Sequence, residues 1–288
     1  MDSNAKTDLK RLIIFGLLVF TMACSCADAN LMLIRRGARG QRYWFKDGDL
    51  IEYDTNDCTA NVPAYFDEIH FLRNNEKINA IDILSNGHIV LSTKRCARIG
   101  QLTGFDYAYN GDLVEYDPET GEASLFFDEQ LFSRNEDIDA VDILPNGHIV
   151  LSTAGSATLG GLSFLDGDLI EYDPIADVAT LFFSESLFFK NEDIDAVDVM
   201  PDGSILFSTQ NNGQLRGLWF TRKDIVRFYP DDYTADPSLA GTAVLYFNAG
   251  SFKSKKPDFD CMALAPVPEP ATILLLALGS VVLRKRRC

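Results

Sequence analysis

Basic residues are scarce in this chain. Among its 288 residues, 26 are Lys or Arg and 42 are Asp or Glu, which gives a net charge of −16. Residues 30–266 hold 19 of the basic and 38 of the acidic residues and so carry a net charge of −19. Phosphate backbones are bound by basic surfaces, so no nucleic acid is expected as a partner. An acidic surface suits a secreted soluble protein or one that collects cations.

The motifs of the common catalytic classes are also missing. The chain has three histidines and contains no CxxC pair, HExxH helix, GxSxG elbow or phosphate loop. These absences argue against zinc proteases, serine hydrolases and nucleotide-binding enzymes, and they favour binding over catalysis. The paired carboxylates of a glycosidase stay open, because the 38 acidic residues of 30–266 make chance pairs inevitable.

Cysteine is too sparse to hold the fold together. Six cysteines are present, and three of them lie in the terminal segments. The other three, Cys58, Cys96 and Cys261, allow at most one disulfide.

Long apolar runs occur only near the two ends. Residues 1–29 combine three basic residues, an apolar run over 12–22 and small residues over 27–29, which is typical of a secretory signal peptide. About eleven apolar residues are too few to span a bilayer as a lasting anchor. Lipoprotein processing at Cys24 or Cys26 stays open as an alternative.

The body of the chain is a repeat. One phrase recurs three times and then in abbreviated form, at residues 78–93, 138–153, 194–209 and 259–266. A second phrase, DGDLIEYD in its fullest form, recurs at residues 47–54, 110–117, 166–173 and, more weakly, 223–230. The spacing of the second phrase is 63, 56 and 56 residues, which indicates a repeat architecture.

Each unit is predicted to contain four short antiparallel strands. In the unit that begins at Ile138, two apolar β-branched runs flank Asn146-Gly147, a strong signal for a type I′ hairpin turn. The segments 168–173 and 179–184 predict a second hairpin. Four strands in a unit of about 56 residues are the signature of a β-propeller blade.

The two ends of the repeat predict a closed ring. Residues 30–35 stand where the second strand of a blade is expected, and residues 259–265 form a first strand without a following hairpin. Together they complete one blade, so we expect an all-β, four-bladed β-propeller over residues 30–266, closed by N- and C-terminal strands that share a blade. A stacked open solenoid is the alternative.

The C-terminal segment, residues 267–288, has three parts in a fixed order. Pro268, Glu269 and Pro270 precede an uncharged stretch over 271–283, and a basic cluster with Arg284, Arg286 and Arg287 follows. This order resembles the PEP-CTERM sorting signal of exported proteins in Gram-negative bacteria. The resemblance implies cleavage near Pro-Glu-Pro by a membrane enzyme, exosortase, and delivery to the cell envelope, cell surface or extracellular matrix.

The tail is expected to contact the membrane only transiently. As a transmembrane helix, its thirteen uncharged residues rise about 20 Å, which is short of the roughly 30 Å hydrocarbon core. The basic cluster would stay on the cytoplasmic side. An ordinary tail anchor is the alternative.

A metal site is one hypothesis for the axis of the propeller. Four-fold arrangement would bring Asn79, Asp139, Asp195 and Asp260 together around its mouth. Carboxylate and amide oxygens that point together repel unless a hard cation such as Ca²⁺ lies among them. The alternative, which we favour, is that each side chain caps its own tight turn. Asp82, Asp142 and Asp198 follow three residues later, on the opposite sheet face unless a bulge intervenes, and are expected to bond between blades.

Aromatic residues predict a ligand surface. The connections between the second and third strands carry Tyr43, Trp44, Phe105, Tyr107, Phe164 and Trp219. On one face they could bind a polysaccharide or protein ligand, and the alternative is that they wedge neighbouring blades together.

The sequence therefore predicts an exported binding propeller of the cell surface or extracellular matrix. The alternative function is a secreted carbohydrate-active hydrolase or lyase, with acidic residues at the axial opening.

Overall fold

The computed structural model describes residues 31–35, 50–54, 59–60, 77–104, 106–231, 240–248 and 259–264. The predicted signal peptide and the predicted sorting tail lie outside these ranges. The described residues are all-β, without an α-helix, which confirms the all-β part of the predicted fold class. Two single turns of 3₁₀-helix are present, at Glu129–Leu131 and Glu185–Leu187.

Four sheets of antiparallel hairpins follow the repeat. The first consists of β1 (Leu31–Arg35), β2 (Leu50–Asp54), β3 (Thr59–Ala60) and the last strand of the chain, β21 (Phe259–Leu264), in the order β21-β1-β2-β3. The second has the order β4-β5-β7-β8-β6, from β4 (Ile78–Ile83), β5 (Ile89–Thr93), β6 (Gln101–Thr103), β7 (Leu113–Tyr116) and β8 (Glu122–Phe127). Its strand β6 pairs with β8 in parallel.

The third and fourth sheets repeat this plan and add a small hairpin each. The third consists of β9 (Ile138–Ile143), β10 (Ile149–Thr153), β13 (Leu169–Asp173) and β14 (Val178–Phe183), with the hairpin β11 (Ala157–Leu159) and β12 (Leu162–Phe164). The fourth consists of β15 (Ile194–Val199), β16 (Ile205–Thr209), β19 (Ile225–Pro230) and β20 (Gly241–Phe247), with the hairpin β17 (Gly213–Leu215) and β18 (Leu218–Phe220).

The first strands of the four sheets contact one another in a cycle. Strand β21 contacts β4, β4 contacts β9, β9 contacts β15, and β15 contacts β21. The pairing of β1 with β21 joins the two ends of the repeat in one sheet, with Leu31 opposite Leu264.

The predicted turn type is wrong. Only the glycines of the Asn-Gly and Asp-Gly turns have positive φ, whereas a type I′ turn needs positive φ at both central residues. In the third sheet, Gly147 (φ 85°) donates to the Leu144 carbonyl, and the Asn146 side chain accepts from the His148 N–H at 3.0 Å. The loop is therefore one residue longer, and Asn is preferred because its side chain closes the turn.

The core lies between neighbouring sheets. Ala80 and Val90 of the second sheet pack in one cluster with Val141 and Ile149 of the third, and Ala140 and Val150 of the third pack with the fourth. Each large apolar side chain buried in this way stabilises the fold by roughly 1.5–3 kcal/mol. Sheet-on-sheet packing fixes the inner strands and their loops, where the candidate site lies.

Candidate functional site

The four residues predicted to surround the axis share one backbone feature. In each first strand the register shifts by one residue. Ile78 pairs with Thr93, but Ala80, two residues later, pairs with Ser92, only one residue earlier. The same shift occurs between Ile138 and Ala140 and between Ile194 and Ala196. Asn79, Asp139 and Asp195 are thus the extra residues of β-bulges, and Asp260 takes the same place in β21. A bulge bends its strand and re-aims the side chain it carries.

The bulges decide one open point about the axis. Asp82, Asp142 and Asp198 were predicted to lie on the opposite sheet face from the first set unless a bulge intervenes, and the one extra residue of each bulge restores the same face at a spacing of three. The charges of Asp198 and Asp82 act on Asp142, just as those of Asp193 and Asp195 act on Asp139. We call the residues at the bulges, Asn79, Asp139 and Asp195, the outer layer. We call the residues three positions later, Asp82, Asp142 and Asp198, the inner layer.

The inner layer bonds between sheets, as predicted. Asp82 accepts hydrogen bonds from the N–H groups of Ile83 at 2.6 Å and of Ile143, in the next sheet, at 2.9 Å. Asp142 accepts from the N–H of Val199, one sheet further on. Burial raises the pKa of Asp82 to about 6 and, with the nearby Asp198 and Asp82 charges, raises the pKa of Asp142 well above its usual range. The first sheet, whose inner strand is β21, has Ala263 at this position.

The outer layer contains buried oxygen atoms without a partner. Asn79 and Asp139 are each 6% exposed, and among the described residues nothing donates to Asn79 Oδ1 or Asp139 Oδ1. The Asn79 amide group donates to Asp137 Oδ1 at 2.8 Å, and Ser208 Oγ donates to Asp195 Oδ1 at 2.6 Å. These side chains do not simply cap their own turns, because their bonds cross between strands or sheets.

The carboxyl group of Asp139, in the outer layer, lies beside that of Asp193, and each affects the pKa of the other. Burial and the charges of Asp193 and Asp195 raise the pKa of Asp139 well above its usual range. Burial raises the pKa of Asp193 from 3.8 to about 7, and a hydrogen bond with Asp139 and the charge of Lys94 oppose part of that rise. Two adjacent carboxyl groups that share a proton can accept or donate it near neutral pH.

The described residues contain no group of three or more His, Cys, Asp or Glu side chains arranged to hold a metal ion. Of the four predicted ligands, Asn79, Asp139 and Asp195 lie at equivalent bulges, and the side chain of Asp260 lies outside the description. The donor set that is present, two carboxylates and an amide oxygen, consists of the oxygen ligands that hard cations prefer.

A second candidate binding region lies on the face formed by the hairpins β11–β12 and β17–β18. Each hairpin covers the connection that follows the preceding sheet: the Ser133 N–H donates to the Thr158 carbonyl at 3.0 Å, and the Phe189 N–H donates to the Gln214 carbonyl at 2.8 Å. The connections between the second and third strands of a sheet, and the connections from the fourth strand of one sheet to the first strand of the next, therefore lie on one face, which we call the hairpin face. Sequence reasoning missed the hairpins because each strand is only three residues long.

The predicted aromatic residues divide between surface and core. Trp219 is 72% exposed and Tyr107 is 42% exposed, with the Arg98 guanidinium 5.2 Å above the Tyr107 ring. Phe164 is only 3% exposed and packs in the core beneath its hairpin, as the wedge alternative expected, so it is no freely exposed ligand contact. Tyr43, Trp44 and Phe105 lie outside the described residues.

Phe164 nevertheless lines a cavity of about 450 Å³ on this face. Its other walls are mainly polar and include Ser133, Thr158 and Ser163. Sequence reasoning missed these hydroxyl groups because Ser and Thr in short loops carry no pattern of their own. The signal that could have found them is their alignment with Phe189, Gln214 and Trp219 in the next unit.

The two histidines that the structure describes, His88 and His148, lie near the turns of the opposite face and pair with glutamates. His88 Nδ1 is 2.7 Å from Glu115 Oε1, and His148 Nδ1 is 2.7 Å from Glu171 Oε1. In the fourth sheet the same positions hold Ser204 and Arg227, which bond at 2.8 Å. One polar pair thus occupies this position in the second, third and fourth sheets, which is a structural role.

Solved structures similar to this chain are remote. The extracellular domain of a putative hybrid two-component system from B. thetaiotaomicron is 14% identical over 73% of this chain and 21% of its own, with a TM-score of 0.31. An auxiliary nutrient binding protein from Bacteroides thetaiotaomicron is 10% identical over 74% and 38%, with a TM-score of 0.34. A catalytically inactive virginiamycin B lyase from Staphylococcus aureus, solved with quinupristin, is 9% identical over 78% and 58%, with a TM-score of 0.30.

The chain thus spans about a fifth of the first of these structures and less than two fifths of the second. No curated protein matches it. None of the described segments contains a helix long and apolar enough to cross a membrane. Residues 266–287 match the family model described as the PEP-CTERM protein-sorting motif, which confirms the predicted signal and its position. By this motif the protein is exported and resides at or near the cell envelope or surface.

Proposed function

We propose that the protein is a binding propeller of the cell surface or extracellular matrix, which holds a polysaccharide or protein ligand on its hairpin face. The observation that carries this proposal is the exposure of aromatic rings on that face, with Trp219 and Tyr107 as the predicted members and Tyr109, at 49% exposed, beside them. Aromatic rings with nearby polar groups are the usual means by which exported proteins hold sugars and peptides.

The proposed architecture is a four-bladed propeller over residues 30–266, closed through the shared first sheet. The cyclic contacts of β21, β4, β9 and β15 and the pairing of β1 with β21 support it. Closure of this kind leaves no free sheet edge between the chain ends.

The proposed route to the surface is cleavage near Pro268-Glu269-Pro270 by an exosortase, with transient membrane contact through residues 271–287. The test is expression, in a bacterium that carries an exosortase, of full-length protein with an epitope after Cys288. We expect loss of the epitope from the wild type and its retention in the triple variant Pro268→Ala, Glu269→Ala, Pro270→Ala. Equal processing of both proteins would contradict the assignment.

The test of binding is a screen of the purified full-length protein on a glycan array and against surface proteins of its host. We expect at least one ligand, with binding reduced about tenfold by Trp219→Ala. Ile175→Ala is the matched control, since Ile175 is exposed on a turn after Asp173 and is not part of the hairpin β17–β18 that carries Trp219. A wild-type protein that retains no ligand would remove the binding function.

One observation favours a second candidate, a carbohydrate-active hydrolase or lyase. The coupled pair Asp139 and Asp193 has the raised pKa values that acid-base catalysis requires. The test is the release of reducing ends from a polysaccharide. The enzyme function would be established if Asp193→Asn abolished this release and Trp219→Ala changed only the affinity for the polysaccharide. If no polysaccharide that binds is cleaved, the enzyme function is removed and the binding function stands.

The same layer also supports a proposed Ca²⁺ site with Asn79, Asp139, Asp195 and Asp260 as ligands. The unpartnered Oδ1 atoms of Asn79 and Asp139 support the choice of a cation. We expect Ca²⁺ to raise the melting temperature of the full-length protein and the double variant Asp139→Ala, Asp195→Ala to lose that rise. A melting temperature that does not respond to Ca²⁺ would remove the ion.

A further inference from the structure

One row of residues runs across the hairpin β17–β18 and the connection beside it. The Phe189 N–H donates to the Gln214 carbonyl, and Gln214 stands opposite Trp219 in the hairpin register. Residues that stand opposite one another in antiparallel strands place their side chains on the same face. Phe189, Gln214 and Trp219 therefore form one row, and its ends are two strand spacings, about 10 Å, apart.

The row faces outward. Phe189 is 71% exposed and Trp219 is 72% exposed, while the neighbouring row of Phe188, Leu215 and Leu218 faces inward with Phe188 and Leu215 buried. Two large aromatic rings held so far out of the core contribute little to folding. A flat strip of ring, amide and ring suits stacking and hydrogen bonding to successive sugar rings of an extended chain.

The equivalent row of the third sheet is polar. Ser133, Thr158 and Ser163 occupy the same three places, and Thr158 Oγ1 and Ser163 Oγ lie 2.9 Å apart. The same backbone therefore forms without aromatic side chains at these places. The rings of the fourth sheet are not required by the fold.

The two segments that carry the row are also basic, whereas the chain as a whole is acidic. Residues 186–191 and 210–223 contain four basic residues and no acidic residue, in a chain of net charge −16. The equivalent segments of the third sheet, 130–135 and 154–167, contain one basic and one acidic residue. The four basic residues are Lys190, Arg216, Arg222 and Lys223.

We propose that the row Phe189, Gln214 and Trp219 is the binding site for an extended anionic polysaccharide of the uronic acid type. The rings would stack on alternate sugars, Gln214 would bond to hydroxyl groups, and the basic rim would face the carboxylates. This inference rests on the proposed binding function and names its ligand class. A lipid surface fits less well, because the tip of the hairpin is the charged Arg216 with Gly217, and the rings lie behind it.

The test is affinity electrophoresis of the full-length protein in native gels that contain alginate, a polyuronate, or hydroxyethylcellulose, a neutral polymer. The main variant is Phe189→Ser, Trp219→Ser, which installs the residues of the third sheet. The second variant is Arg216→Gly, which installs the residue found at Gly160 and removes a side chain from a position with φ of 50°. The control is Ile175→Ser, which removes an exposed apolar side chain elsewhere.

We expect alginate to retard the wild type and the control, and hydroxyethylcellulose to retard neither. The double variant should bind alginate about tenfold or more weakly, Arg216→Gly should bind it several-fold more weakly, and salt should weaken wild-type binding. Equal retardation of the double variant would place alginate binding elsewhere and overturn this site while the binding function stands. Equal retardation of the wild type by the neutral polymer would overturn the anionic class.

A wild type that alginate does not retard would overturn the inference. If the same protein bound another glycan or a protein in the screen above, the binding function would survive. If it instead sedimented with phosphatidylglycerol vesicles and the double variant did not, the row would be a membrane contact. Circular dichroism of both variants shows whether they are folded, and Arg216→Gly keeps the test decisive if the double variant is not.

Discussion

The bulged residues Asn79 and Asp139 show how a single backbone position changes the chemistry of a side chain. Each is the extra residue in a first strand, and its Oδ1 atom is buried without a hydrogen-bond partner among the described residues. Burial then opposes ionisation, and the pKa of Asp139 rises. The raised pKa makes the stability of this part of the fold depend on pH.

We predict that Asp193→Asn stabilises the protein at pH 8 and has little effect at pH 4. Because the pKa of Asp193 is raised from 3.8 to about 7, the folded state holds this proton more tightly, and its contribution to stability is lost as pH rises from about 4 to about 7. An amide keeps the bond to Asp139 and removes that loss. Since Asp193 is partly exposed, we expect only about 1 kcal/mol in the free energy of unfolding at pH 8. Urea unfolding at the two pH values measures it, and equal effects at both would contradict the assignment.

We also predict that Asp82→Ala lowers the free energy of unfolding by about 1–3 kcal/mol. The substitution leaves the N–H groups of Ile83 and Ile143 without an acceptor in the buried space between sheets. Glu119→Ala, at an exposed turn, is the control and should change stability by less than about 0.5 kcal/mol. A similar change for both would show that the inner layer does not join the sheets.

At the scale of elements, the glycine of the second repeated phrase has a specific packing role. A Cβ atom on Gly167 would collide with the Glu192 backbone oxygen, whereas one on Gly155 would meet nothing nearby. In this phrase, Asp168 accepts hydrogen bonds from the N–H groups of Leu165 and Glu185 and so joins two loops. Gly167 leaves room for the backbone of the next connection.

We predict that Gly167→Ala destabilises the third sheet by about 1–3 kcal/mol or more, because the neighbouring backbone must shift. Gly155→Ala should change the free energy of unfolding by less than about 1 kcal/mol. Thermal unfolding of both variants, followed by circular dichroism, is the measurement. If Gly167→Ala melts with the wild type, the close approach of the Glu192 carbonyl is absent in solution.

The large hairpins were predictable from sequence and the small ones were not. Asn146-Gly147 between β-branched runs indicates a turn by local chemistry alone, although its exact type depends on where the pairing ends. The hairpins β11–β12 and β17–β18 depend on pairing with the preceding connection, as at Ser133 and Thr158, and this partner is distant in sequence. Asn79 and Asp139 were found by spacing, but the bulges that aim them arise only when the strands pair.

At the scale of the whole molecule, the last strand belongs to the first sheet and contacts the two neighbouring sheets of the cycle. Strand β21 pairs with β1 and contacts β4 and β15. The repeat predicted this arrangement because the two incomplete units add up to one. It could not predict which aromatic residues would be exposed, since Trp219 and Phe220 are adjacent and only the register of β18 turns one outward and the other inward.

We predict that a chain that ends at residue 258 loses cooperative unfolding, whereas a chain that ends at residue 266 unfolds like the full-length protein. The first lacks β21, so β1 loses its partner and the cycle of first strands is interrupted. Differential scanning calorimetry and limited proteolysis compare the two chains. Equal melting temperatures would show that β21 does not hold the two ends together.

The position of β21 has a mechanical consequence. The strand ends at Leu264, and the sorting motif begins at residue 266, so a single residue separates them. Tension on the envelope-facing tail would reach β21 before any other part of the protein and would pull directly on its seam with β1. The start of the sorting motif and the point where the chain ends meet are thus almost the same, and β21 can pair with β1 only after residues 259–264 have been exported.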